Sequence, residues 1–237
     1  MLGLVACRVD VQGVERAFYD GDGRKVHCAV NLDHKAGNMS TVDSGLDRAR
    51  DRGEVIELYG HRPGGTIDVA DIEYVLAGAR DRGLAFYTYG DFAAGRPISG
   101  GIAFSFDDFS IFEWHALRPL FDQYDARITF FLTRYQNQGY DKKLLVKDLA
   151  DDGHDIAAHG VAHLRAPTYV EENGLAAYMK DEAVPSIQIL RDDGYDVTSF
   201  AYPFGARTSE LDDALLEHVA LVRSVAFTLQ GVADPCP

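Results

Sequence analysis

Short apolar runs alternate with longer stretches of helical spacing along most of the chain, and this alternation constrains the fold more than any other feature. Residues 25–32 read as a strand, 41–52 as a helix, 55–59 as a strand, 69–82 as a helix and 85–88 as a strand. Gly100-Gly101 then breaks the chain before an apolar strand over 102–106. Beyond it the pattern predicts helix 112–124, strand 128–132, helix 142–152, strand 155–158, helix 169–193, strand 198–202, helix 209–218 and strand 222–227. About eight strands interleaved with helices predict a parallel α/β sheet, and at this count a closed barrel over an open, doubly wound one.

The length of 237 residues suits one such barrel, read as a single domain over 1–237. Apolar residues at 46% and charged residues at 25% supply an ordinary globular core and surface. A formal net charge of −14 argues against nucleic-acid partners, since phosphate backbones are held by clustered Lys and Arg. No apolar run reaches the roughly 18 residues of a membrane span. Leu4-Val5-Ala6-Cys7 reads like the end of a truncated bacterial lipoprotein signal or, equally, an opening strand; the first reading implies an extracytoplasmic location. Of the three cysteines, Cys7 and Cys236 lie near opposite ends and would pair if the termini meet.

In a β/α barrel the loops after the strands converge on one face and carry the chemistry. Several strands here end in ionisable or turn-forming residues: Asp33 and His34, His61, Asp107 and Asp108, His159 with His163 four residues on, and Pro203-Phe204-Gly205. An adjacent aspartate pair is most often a solvated turn, and a lone histidine most often structural. Two imidazoles and a carboxylate together form a three-ligand set that leaves positions open for water and substrate on one divalent ion, zinc being expected. Such an ion lowers the pKa of water from about 15.7 toward about 7, which makes hydrolysis the natural chemistry. Trp114, Tyr59, Tyr135 and Tyr169 are read as packing residues, and His154, His115 and His218 as structural.

Phe104-Ser105-Phe106-Asp107-Asp108, His159-Gly160-Val161-Ala162-His163 and Ala201-Tyr202-Pro203-Phe204-Gly205 resemble, in order and in spacing, the first three motifs of the polysaccharide deacetylase (NodB-like) carbohydrate esterases. The resemblance implies a distorted (β/α) barrel of seven to eight strands and an acetylated carbohydrate substrate. It implies Asp107 as general base and Asp108, His159 and His163 as metal ligands. The third motif would supply the backbone N–H of Phe204 and Tyr202 to the oxyanion and substrate.

The family's late motif, an apolar strand ending in a general-acid histidine, is found near the start, where 54–63 ends in His61-Arg62-Pro63. Residues 1–100 thus resemble the family's C-terminal part and 101–237 its N-terminal part, a circularly permuted order; a fragment of a tandem array would read the same way. Asp33 is placed to hydrogen-bond His61. One departure concerns the arginine that many members carry two residues before the third-motif proline, where it orients the base. This chain has Ala201 there, leaving Arg62, Arg165 and Arg207 as the candidates to replace it. The resemblance therefore implies metal-dependent removal of acetyl groups, foremost N-acetyl groups of amino sugars. An O-acetyl esterase, a small-amide hydrolase and a metal-containing carbohydrate-binding protein without turnover remain open.

Overall fold

The computed structural model describes residues 15–226 and 236–237. Among them, seven parallel strands close into a ring: β2 (Val26–Asn31), β3 (Val55–Gly60), β5 (Gly101–Asp108), β6 (Ile128–Leu132), β7 (Asp155–Ala158), β8 (Ser199–Ala201) and β9 (Leu221–Val225). Their order around the ring is β3-β2-β9-β8-β7-β6-β5, and β5 returns to β3 through a register running from Val55↔Gly101 to Gly60↔Phe106. Two short strands complete the sheet: β1 (Phe18–Tyr19) lies antiparallel on β3, and β4 (Ala85–Phe86) pairs with the start of β5.

Strand periodicity sorts the side chains. Ile102, Phe104 and Phe106 of β5, with Ile128, Phe130 and Leu132 of β6, join the layer between barrel and helices, packing with Leu46, Ile72, Val75, Trp114, Leu149 and Ile187. The alternate residues fill the interior. A seven-stranded ring is narrow, and its axis accommodates Ala29, Ala103, Ala157 and Ala201 beside Val55, Phe131 and Leu221. The floor, at the strands' N-terminal ends, is closed by the helix Tyr89–Ala93, which Thr88 and Asp91 start with a capping box. Tyr89 donates to the buried Glu57 carboxylate at 2.8 Å, and Phe92 stacks on His27 at 5.1 Å between ring centroids. The opposite mouth, where the strand-end loops gather, is left for chemistry.

Several elements differ from their sequence expectation for identifiable reasons. Helix 112–124 divides into Ile111–Ala116 and Arg118–Gln123, because Pro119 removes a backbone donor and crowds the preceding turn. Helix 169–193 begins earlier, at Ala166, and breaks at Gly174, whose φ of 86° does not continue a right-handed helix. Strand 85–88 shortens to β4, outside the ring, since Thr88 already caps the floor helix.

Cys236 is joined not to Cys7 but to Cys28 on β2, across a Cα separation of 6.1 Å. Cys7, with the rest of the Leu4–Cys7 segment, lies outside the described residues. Cys28 is buried on the strand beside β9, so the bridge ties the end of the chain to the barrel wall. Reduction should lower stability by about 2–4 kcal/mol, read as a shift of the denaturant midpoint with and without dithiothreitol. A midpoint indifferent to reductant would remove the cross-link from the stability of the fold.

Candidate metal and catalytic centre

Asp107 and Asp108 end β5, and the backbone turns sharply between ladder and loop: Asp108 has φ 86°, outside strand geometry. That turn directs the two carboxylates differently. Asp107 is buried inside the barrel, while Asp108 leans toward the mouth beside the imidazoles that follow β7. One ligand atom each from Asp108, His159 and His163 falls within 4.8 Å of the other two. The Asp108 Oδ1 stands 3.2 Å from His163 Nε2 and 3.7 Å from His159 Nε2.

These residues fit a divalent cation on chemical grounds. Asp108 Oδ1 is buried and accepts no hydrogen bond, a costly arrangement for a carboxylate oxygen unless a cation completes it. His159 Nδ1 lies 2.8 Å from the Ala201 carbonyl, which can only accept. The proton is therefore on Nδ1, and the Nε2 lone pair faces the cluster, as in a ligand oriented through its second nitrogen. Burial holds His159 low, at about 4, so the ring is neutral and able to coordinate. Burial works to raise Asp108, but His163, His159 and His61 outweigh it and hold the carboxyl at about 2. His163 adopts φ 64°, a left-handed conformation rare for a side chain of its size, and its ring meets Phe204 edge-on at 4.6 Å.

Asp107 accepts a hydrogen bond on Oδ1 from Arg223, and its Oδ2 lies 4.0 Å from His159 Nε2. The arginine that meets Asp107 is thus Arg223. It sits on β9 in direct register with Ala201, so the guanidinium arrives from the neighbouring strand instead of from position 201 itself. Buried to 1% exposure, it is sandwiched between the rings of Tyr59 and Phe131, 4.8 Å from each centroid. Arg62 is instead an exposed partner of Glu113 at 2.8 Å, and Arg207 is paired with Asp212. The sequence signal for Arg223 is a lone charge in a strand whose other residues are uncharged, which cannot be buried without a counter-charge.

His61 enters from β3. Its Nδ1 donates to Asp33, whose other oxygen accepts from the His61 backbone N–H at 3.2 Å and from Thr66 Oγ1 at 2.8 Å. Trp114 Nε1 donates to the His61 carbonyl at 2.8 Å, fixing the backbone as well. Burial opposes the charge on His61, but Asp33, with Asp107 and Asp108 nearby, prevails and raises the imidazole to about 9. Phe204 is half exposed at the mouth, with φ 61°. Tyr202 departs from the sequence expectation: its side chain is fully buried and donates to Asp212 at 2.8 Å, because the strand alternation that turns Ala201 inward turns Tyr202 outward.

The described residues hold a second cluster, His34, Asp68 and Asp71. It lies on the surface, with His34 and Asp68 exposed.

Residues 95–219, more than half of the chain, match the family model for polysaccharide deacetylases, and the chain belongs to that family. No curated protein sequence matches it significantly. Its fold is similar to that of IcaB from Ammonifex degensii, with a TM-score of 0.59, 19% identity, and 72% of this chain and 83% of that one covered. It is also similar to a de-N-acetylase from Aggregatibacter actinomycetemcomitans, with a TM-score of 0.55, 14% identity and coverage of 76% and 90%. The BpsB deacetylase domain from Bordetella bronchiseptica aligns with a TM-score of 0.53, 14% identity and coverage of 71% and 87%.

Two outcomes follow. Arg223→Met leaves the Asp107 carboxylate buried without its cation and should cost about 3–5 kcal/mol of stability; an unchanged denaturation midpoint would deny the pair its structural weight. The folded His61, at about 9 against an ordinary 6.5, binds more protons than the unfolded chain between those values. The stability it contributes is complete below about 6.5 and is lost as pH rises through about 9, at up to about 1.4 kcal/mol per pH unit. In metal-free protein, Asp33→Asn should flatten that slope and move the His61 NMR titration toward 6.5; a titration left near 9 would mean that Asp33 does not hold the proton.

Proposed function

We propose that the protein is a metal-dependent hydrolase that removes N-acetyl groups from amino sugars of a polysaccharide, releasing acetate. The observation that carries this reading is the convergence of the buried Asp108 oxygen, the His159 Nε2 lone pair and His163 on one point, with a base and a protonated imidazole at the same mouth. Family membership supports carbohydrate deacetylation, and the de-N-acetylase among the similar folds supports the nitrogen-linked substrate. A divalent cation, zinc for preference, held by Asp108, His159 and His163 would supply Lewis acidity toward the acetyl carbonyl and toward water.

The chain's own residues account for the protons. Arg223 holds Asp107 Oδ1, so Oδ2 is the atom that takes a proton as water adds to the carbonyl carbon. The backbone N–H of Phe204 donates to the tetrahedral oxyanion. His61, kept protonated by Asp33, gives its proton to the sugar nitrogen as the carbon–nitrogen bond breaks, leaving acetate and a free amine. The binding-only reading rested on the missing arginine, and Arg223 on Asp107 removes that ground.

We also propose an extracytoplasmic location, supported by the Cys28–Cys236 disulfide, since such bridges persist in oxidising compartments. A circularly permuted order is supported by the β3–β5 pairing, which brings His61 of the first hundred residues to the mouth formed by the later motifs.

Asp107→Asn and His61→Ala should each lower turnover by about 10²–10⁴, or about 3–5 kcal/mol of barrier, with zinc still bound. Near-normal acetate release by either variant removes that residue from the mechanism. Asp108→Ala and His163→Ala should lose zinc in equilibrium dialysis, and full occupancy in both would sink the ligand assignment. Acetate release from N-acetylated against O-acetylated sugars separates the amidase from the esterase.

A further inference from the structure

The loop that carries the two histidine ligands is held from both sides, and only one side belongs to the barrel. Its carbonyls are bound by the segment following β6. Thr133 Oγ1 donates to Gly160 at 2.9 Å, Gln136 Nε2 to Val161 at 2.9 Å and the Arg134 guanidinium to Ala162 at 3.5 Å. Its N–H groups are bound from the other side by a single carboxylate. Glu182 accepts from the Ala162 N–H on Oε2 at 2.8 Å and from the Leu164 N–H on Oε1 at 2.9 Å. These are the residues immediately before and after His163, so the two bonds straddle the ligand and hold its left-handed φ of 64°.

Three features show that the loop is shaped around this side chain. Glu182 is fully buried, with 0% exposure, although it bears a carboxylate. Gly160 has φ +82°, and a Cβ built on it would lie 2.4 Å from Glu182 Oε1, so the carboxylate occupies the space a side chain at position 160 would need. Glu182 itself sits in a π-helical turn, Met179–Ala183, between the helical segments Leu175–Tyr178 and Val184–Asp192. Pro185 explains the widened turn: it cannot donate to the carbonyl four residues back and its ring crowds that carbonyl, so the preceding turn expands by a residue.

We propose that Glu182 is the positioning residue of the metal centre, a two-pronged carboxylate that presets the His159–His163 loop for the cation without touching it. The assignment rests on the reading of Asp108, His159 and His163 as ligands. Removing hydrogen bonds that orient ligands typically costs 10–100-fold in metal affinity. Glu182→Gln preserves volume but offers one acceptor oxygen where two N–H groups need one each, and it turns an amide donor toward the other.

The test is zinc affinity of the full chain, measured by competition with a chromogenic chelator, for the wild type, Glu182→Gln and Glu182→Ala. The expected result is zinc binding weakened 10–100-fold in Glu182→Gln, faster hydrogen exchange at the Ala162 and Leu164 amides, and kcat restored to near wild type at saturating zinc. Unchanged zinc affinity in Glu182→Gln overturns the proposal. So does loss of fold in both variants, or a kcat that saturating zinc does not restore, since either makes Glu182 scaffold and not a positioner of the ligand. Failure of the wild type itself to bind zinc would instead strike the ligand assignment beneath it.

Discussion

The parallel pairing of β3 with β5 is the interaction on which the rest of the molecule depends. Without it the sheet would be open, with Val55–Gly60 on one side and Asp107-Asp108 on a strand with no neighbour there. Six register pairs, Val55↔Gly101 through Gly60↔Phe106, convert that sheet into a ring and set His61 one residue beyond Gly60, level with the carboxylates that end β5. Gly101, where β3, β4 and β5 meet, has no room for a side chain: a Cβ there would approach the Ala85 carbonyl to 2.4 Å. Closure and the candidate site therefore share the same few residues, and the position of His61 is a consequence of the ring, whatever its position in the chain.

Closure also decides where charge can be buried. A narrow seven-stranded barrel cannot fill its axis with large apolar side chains on every strand, and its interior carries His27, Glu57, Ser105, Asp107, Thr129 and Arg223 among alanines. Such groups are tolerable only when paired. Glu57 meets His27 at 3.0 Å and Tyr89 at 2.8 Å, and Arg223 meets Asp107 and two aromatic faces. The polar axis of the barrel thus leads from its plugged floor toward the carboxylate at its mouth.

These dependencies explain what could and could not be read from the sequence. The strand-end residues Asp107, Asp108, His159 and His163 were legible in combination: each alone is a common turn or structural residue, but together, at the ends of apolar runs, they form a ligand-like set. Asp33 and His61 were legible once β3 was taken as a barrel strand. Arg223 lies far from the motifs in sequence, and only the register Ala201↔Arg223 delivers its cation from an adjacent strand. Glu182 gave still less signal, lying in the charged run Lys180-Asp181-Glu182 on an apparently ordinary helix. Its helical spacing from Met179, Ala183, Ser186 and Ile187 puts it on the buried face, but a charged residue there reads as solvated until its two backbone partners are seen. Cys28 was missed for a similar reason, since its pairing depends on where the end of the chain crosses β2.

The two histidines nearest the carboxylates show how one side chain is given opposite properties. His159 and His61 each use Nδ1 for a single structural contact, and the identity of that contact decides the ring's state. A backbone carbonyl beneath a fully buried His159 provides direction without charge, so burial dominates and the ring stays neutral, with its Nε2 lone pair toward the cation position. A carboxylate beneath His61 provides both direction and charge, which outweighs burial and keeps the second proton in place. Exchanging these partners would reverse the two states, leaving a protonated ring beside Asp108 and a neutral one beside Asp33's present position. The difference between a neutral and a protonated imidazole is therefore set by the partner of each Nδ1, a carbonyl in one case and a carboxylate in the other.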